Sequence, residues 1–475
     1  MFKHGVYIHE DPTPILPPVR VNSAIPVAFV TAPIHLAQDP YNVTNKPELL
    51  FNFAEGVRTF GHSMRPEIWD NYTSCQMLFS QFTLFGVAPL VVVNVLDPTR
   101  HIERVQAHEV NLVNGQGVIA DEGVLIDTVK VAGAEDADPS IVFSFNRDGH
   151  VVIHATLAPA DSTITVSYTK LAPEKVDIYD IIGGYNSIKG KNEGLEAVED
   201  VFPLYRVIPG QLLAPGFSSD PVVAAVMETK GSNINGHFRC ITLCDMPASL
   251  RLQDVPRFKN LNNFVSTRQI NCWPKLRLGN QTYYFSTQLA GLIGRTDHNN
   301  RGVPYHSPSN LNLRINGICD DKGEEIDINK QTANHLNSQG IVTAINSFRG
   351  WVAWGNHTGI FPGSTDVKDK FIPIRRMFDW IGNTIVKTYW QKVDFPMTPR
   401  TIDTIIDSVN IWLNGLAAQG FILGGRAEFL RDDNPTTDLL SGIARFRVHV
   451  SPPPPLQTAE FILQYDPEYL QTLFA

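Results

Sequence analysis

The sequence predicts a multidomain α/β protein with an inserted all-β module, an α+β C-terminal domain and an extended arm at each end. Three observations lead to this. Strand and helix signals alternate over residues 23–95 and again over 176–360, with β-branched runs such as Val91-Val92-Val93-Asn94-Val95 marking buried strands. Over 96–175 the texture changes to short alternating runs: Val124-Leu125-Ile126, Ile141 to Phe145 and Ile164 to Tyr168. Gly and Asp turn signals separate them, the pattern of a β-sandwich-like module. Over 366–462 a long capped helix, a hairpin-like return and the run Pro452 to Pro455 follow one another.

Taken in order, residues 1–22 form an arm. Gly5 to Glu10 is strand-like, but Pro12, Pro14, Pro17 and Pro18 keep it out of a continuous ladder. Val6, Tyr7 and Ile8 therefore either add to a sheet edge on a neighbouring subunit or fold back on their own chain. Ala24 to Val30 reads as a strand and Ile68 to Phe85 as a helix, in a segment (23–95) expected to pack with the C-terminal domain. Loop and strand-end signals at Gly183-Gly184, Pro215-Gly216 and Asp245-Met246-Pro247 punctuate 176–360. In the C-terminal domain Thr398 supplies an N-cap hydroxyl and Pro399 the first helical position. Ile402, Ile405, Ile406, Val409, Leu413 and Leu416 recur at helical spacing up to Gly420. A strand is expected from Gly442 to Val448, and Ala459 to Ile462 offers an edge. Residues 463–475 form a second arm; Phe461, Leu463 and Tyr465 are its candidate intersubunit contacts.

Composition narrows the function classes. The 475 residues suffice for two to four domains, and 43% hydrophobic with 18% charged residues is an ordinary globular balance. Thirty-nine basic against 48 acidic residues leave −9, which gives no support to wholesale nucleic-acid binding. The five scattered cysteines read as reduced thiols. No signal peptide is apparent, and Val87 to Val95 is too short to span a bilayer, so the chain reads as soluble and made in a cytoplasm.

Segments that could carry chemistry fall short of the residues it needs. Gly184 to Lys191 has five residues between its glycines where a phosphate loop has four, and Asn192 stands where the magnesium-binding hydroxyl belongs. Gly61-His62-Ser63-Met64 is followed by Arg65 where a hydrolase elbow needs glycine. Cys240 and Cys244 lie in an apolar strand without a second metal-ligand pair. Asp297 to Gly302 lacks the glutamate of a calcium loop and reads as an Asx-rich turn. Trp351, Trp354, Trp380, Trp390 and Trp412 read as core and interface. No catalytic, cofactor or metal residues are assigned.

One charge reversal stands out. Residues 366–400 carry seven basic and four acidic side chains, +3 in a chain of −9. Ile374, Phe378, Ile381, Ile385 and Thr388 form an apolar stripe on this helix, with Lys387 and Lys392 near its far end. These lysines line either a solvated face or a partner-facing one.

Read together, these segments resemble the contractile tail sheath proteins of tailed phages and related injection particles. The likeness rests on His4 to Ile8, Asn45-Lys46-Pro47, Phe60-Gly61, Leu213 to Gly216, Asp245-Met246-Pro247, Ala290-Gly291 with Arg295-Thr296-Asp297, Trp351 to Gly355, Arg375-Arg376 and the C-terminal string. Their shared order over most of the chain carries the match. The resemblance implies a subtilisin-like fold for the central domain and a non-enzymatic virion subunit, assembled in the host cytoplasm. It also implies a helical homopolymer around an inner tail tube, bounded by baseplate and terminator proteins, without cofactor, nucleic-acid contact or membrane insertion. Lys387 and Lys392 would then face the tube. A static shell or tube protein, and more remotely a hydrolase, are the competing readings.

Overall fold

Val91, Val92 and Val93 offer no polar side chain to water on either face, so their strand needs cover on both sides. In the computed structural model of the chain, which describes residues 22–134, 140–156 and 161–474, all three are fully buried. Their strand lies in a sheet of eight. Its members in chain order are Pro26–Val30 (β1), Pro47–Leu50 (β2) and Leu90–Asn94 (β3). After an intervening module they continue as Gln211–Leu213, Ile241–Asp245, Gln269–Cys272, Ile341–Ser347 and Gly350–Trp354. The module contributes β4 (Ile102–Val113), β5 (Gln116–Ile119), β6 (Lys130–Val131), β7 (Ile141–Phe145), β8 (Val151–Ala155) and β9 (Asp161–Leu171). The five later strands are therefore β10 to β14. The order across the large sheet is β14-β13-β12-β11-β10-β1-β3-β2; six strands run parallel and only the two edges, β14 and β2, are antiparallel.

This topology adds to the expected role of 23–95. The segment supplies three strands to the central sheet, with β1 and β10 neighbours in register, and meets the C-terminal domain at Arg376, which donates to Ser23 O. The expected helix from Ile68 to Phe85 is broken into Pro66–Trp69, Thr73–Leu78 and a wider turn over Phe79–Leu84. The break docks on the end of β1: Ser74 N donates to Thr31 O (3.0 Å) and Thr73 N to Thr31 Oγ1 (3.3 Å).

The module is a single antiparallel sheet, β6-β9-β4-β5-β8-β7, with a small core around Val110, Ile119, Ile153 and Val166, rather than two facing sheets. Val124 makes only one bridge, to Lys170, before Ile126–Thr128 turns. Leu125 leaves that core and, with Leu171, packs into the main one. The module is also fastened by Arg65, which pairs with Glu122 and donates to Asp148 O (2.7 Å). Beneath it His35 is 3% exposed, packed near Tyr72 and Phe145, and burial pushes its imidazole down to about 3.

The helices that matter below are Phe285–Asn299 (α1), Ile372–Tyr389 (α2) and Pro399–Ala418 (α3). One hydrophobic core runs from Ala24 through the central sheet to Trp380, Trp412 and Ala427, so α2 and α3 are packed onto the sheet domain. All five cysteines are buried free thiols. Among the described residues no helix is long and apolar enough to cross a membrane.

Candidate assembly interface

The C-terminal unit is built on α3. Thr398 Oγ1 accepts from Thr401 N, Pro399 opens the helix, and Gly420 with φ 76° takes the left-handed turn after it. Behind it, Gly424–Glu428 (β15) and Arg447–Ser451 (β16) pair antiparallel over five residues. The strand expected from Gly442 thus starts at Arg447. Asn434 explains the delay, because its amide accepts from Arg445 N (2.7 Å) and donates to Arg445 O (3.0 Å), holding that residue out of the ladder. Among the described residues β15 and β16 pair only with each other. Asn410 of α3 covers part of the outer edge of β15, donating to Ala427 O (3.2 Å) and accepting from Ala427 N (2.7 Å), so the main-chain edge left open among the described residues is that of β16. An open groove of about 600 Å³ lies along them, lined by Phe378, Gly424, Gly425, Val448 and Val450.

Residues 452–466 contain neither helix nor strand, so Ala459 to Ile462 is not the edge expected of it. Phe461 (89% exposed), Leu463 (95%) and Tyr465 (74%) touch almost nothing of their own chain. Val6, Tyr7 and Ile8 lie outside the described residues.

Not all of the local basic excess around α2 lies at the surface. Arg375 and Arg376 are buried: Arg375 pairs with Asp369 and Asp379, and Arg376 with Asp297. Two of the seven basic side chains of 366–400 are therefore neutralised inside the fold. Lys387 and Lys392 are half-buried at the helix end and make no ion pair among the described residues. Lys392 Nζ sits 5.0 Å above the Phe395 ring. The turn from α2 to α3 exposes Trp390, Val393 and Phe395, with the Trp390 ring tilted by 49° against His237 at 4.8 Å.

Asp297 is the residue that local sequence reasoning misread. It sits in the last turn of α1, 1% exposed, instead of in an Asx turn. Its partner is 79 positions away, and nothing within Asp297 to Gly302 reports it. The Arg375-Arg376 pair gave no decisive signal, since adjacent side chains lie about 100° apart on a helix and both fit within a polar face.

Elsewhere, a cavity of about 230 Å³ at the carboxyl ends of the parallel strands is lined by Gly216, Asp245, Lys275, Tyr284 and Asp321. Asp245 accepts from Ser286 N (2.9 Å) and Ser286 Oγ (2.5 Å), capping the start of α1, and no histidine joins them among the described residues. Burial pushes the Asp245 carboxyl up to about 6 from an ordinary 3.8. The contribution is present below pH 3.8 and lost as pH rises through about 6, and the rise is worth about 3 kcal/mol. Asp245→Asn should therefore gain stability relative to the parent on going from pH 4.5 to pH 8. Denaturant midpoints of both proteins at the two pH values measure this; a pH-independent difference would show that the carboxyl is not held protonated by its surroundings.

No family model matches the chain. The tail sheath protein of Burkholderia phage BcepMu is 26% identical over 99% of this chain and 98% of its own length. The major tail sheath protein of Serratia phage KSP20 is 31% identical over 39% of this chain and 45% of that one. Among solved structures, the contracted sheath of the extracellular contractile injection system PVC matches with a TM-score of 0.59 at 13% identity, covering 99% of both chains. The contracted helical sheath of the anti-feeding prophage gives 0.58 at 16%, covering 98% of both. At these identities the structures speak for a shared fold.

Proposed function

We infer that this chain is a contractile tail sheath protein, a structural subunit of a virion tail. The observation that carries this is the relation to a phage tail sheath protein along essentially the whole chain. A second copy of the chain is its first partner. The open edge of β16 is suited to accept an extended segment from a neighbour, and main-chain pairing of that kind tolerates rotation of the domains it joins. The N-terminal arm and the segment carrying Phe461, Leu463 and Tyr465 are the proposed donors.

The finer reading follows from the same resemblance. Subunits assemble in the host cytoplasm as stacked rings around an inner tail tube, between baseplate and terminator proteins, and contract by reorienting without nucleotide or metal. The largely parallel central sheet supports a subtilisin-like ancestry for that domain, put here to non-enzymatic use. Negative-stain microscopy of the purified protein tests the core of the proposal: long hollow tubes are expected, and monomers or small closed rings at every concentration would overturn it. Tubes of one unvarying length and diameter, with and without the inner tube, would favour a static shell.

The end of α2 is the proposed tube contact. Lys387 and Lys392 are interspersed with the exposed Trp390, Val393 and Phe395, so the partner surface should be apolar with acidic groups beside it. Lys387→Glu with Lys392→Glu should reduce assembly on the tube by roughly tenfold or more while sparing tube-free polymers, as like charges now oppose across the contact. Equal loss of both products would assign the two lysines to the fold instead.

A further inference from the structure

We propose that Ser23, Asp297 and Arg376 form a joint that passes tension from the root of the N-terminal arm directly to the helix leading into the C-terminal domain. This rests on the reading of that arm as a link between subunits. Ser23 follows the arm immediately and precedes β1. Its hydroxyl donates to Asp297 Oδ2 at 2.5 Å and its carbonyl accepts from Arg376 Nη2 at 3.4 Å. Arg376 in turn grips Asp297 with both terminal nitrogens, at 3.0 and 2.5 Å. Residues 23 and 376 are 353 positions apart, so the contact short-circuits the central sheet and the inserted module.

The surroundings suit that role. The next two carbonyls are held as well: Ala24 O by Gln211 Nε2 (2.9 Å) and Ile25 O by Gly210 N (2.8 Å). Gly210 has to be glycine there, because a Cβ would lie 2.2 Å from Ser23 O. Beyond them β1 runs between two parallel strands, β10 and β3, so withdrawing it along its axis would shear both ladders together. The ion pair is sealed from water, with side-chain exposures of 3% and 1%, and is not screened by salt. A planar two-bonded guanidinium–carboxylate contact also fixes orientation, which a single point charge does not. Buried pairs add little stability over well-packed apolar groups, so stability alone does not account for one at this position.

Single-molecule pulling of the isolated full chain tests the joint. Force applied between the two termini is compared with force applied between Ile188 and Phe348, two exposed loop positions away from it. In the double variant Arg376→Gln/Asp297→Asn the first unfolding force between the termini should fall to roughly half, because charge-assisted bonds are about twice as strong as neutral ones. Along the Ile188–Phe348 axis it should stay unchanged. Ser23→Ala, which removes only the hydroxyl link, should give a smaller fall along the same axis and serves if the double variant does not fold. An equal fractional fall along both axes, or none between the termini, would overturn the proposal. The isolated chain needs no neighbours for this measurement. Failure of the linking-arm reading would appear separately, as tubes that form without the arm.

Discussion

Deletion of residues 1–20 is expected to abolish tube formation and to leave a folded monomer with an unchanged melting profile. The two halves of that expectation have separate grounds. The described core begins at Ala24, and Ser23 to Ile25 are held by Arg376, Asp297, Gly210 and Gln211, all of which remain after the cut. Folding therefore loses none of the contacts described for the core. Assembly, in contrast, loses the proposed donor segment. Val6, Tyr7 and Ile8 sit in a segment whose four prolines deny it a continuous local ladder, and an isolated strand is unstable in water.

The acceptor in this scheme is the outer edge of β16, free of main-chain pairing among the described residues, in place of Ala459 to Ile462. Sedimentation and microscopy measure the polymer, and a thermal melt of the supernatant measures the fold. Ordered tubes from the truncated protein would remove the arm from the mechanism. A lowered melting temperature together with lost tubes would mean that the arm folds back on its own chain.

Much of the fold was legible where local chemistry decides it. Thr398, Pro399 and Gly420 marked both ends of α3, and the β-branched run at 91–93 marked a strand covered on both faces. What could not be read was membership. A strand buried on both faces needs two neighbours, but its own residues do not say which, so β1 to β3 were separated from the sheet they complete. Charge counting failed for the same reason: Arg375 and Arg376 add to a local excess only if their partners are ignored, and Asp297 lies 79 positions away. The strand start at Arg447 was likewise set by Asn434, a side chain from the preceding turn. Leu463 and Tyr465 were placed in an arm past the last domain and are exposed, whereas Val393 and Phe395, exposed in the turn after α2, carried no signal that set them apart in sequence.

Asp379→Ala should cost about 3–5 kcal/mol, the range for breaking a buried ion pair from one side. The carboxylate is shared. Arg268 donates to it through Nε (3.2 Å) and Nη2 (3.0 Å), and Arg375 through Nη2 (3.0 Å), at a residue only 6% exposed. Truncation leaves two guanidinium groups facing each other across the space it occupied. Arg375 retains Asp369 at 3.3 Å, whereas among the described residues no second acid is paired with Arg268, which would carry most of the penalty. Asp379→Asn keeps the shape and one acceptor oxygen but not the charge, and should fall between parent and alanine variant. Converting both partners, Arg268→Met with Asp379→Leu, should recover most of the loss, since a well-packed apolar pair can replace a buried ionic one at little net cost. Denaturant midpoints measured below the assembly concentration read these differences without interference from polymerisation. A change within about 0.5 kcal/mol for Asp379→Ala, the size of an ordinary surface substitution, would mean that water reaches both arginines and that α2 is not fastened to the sheet domain through this cluster.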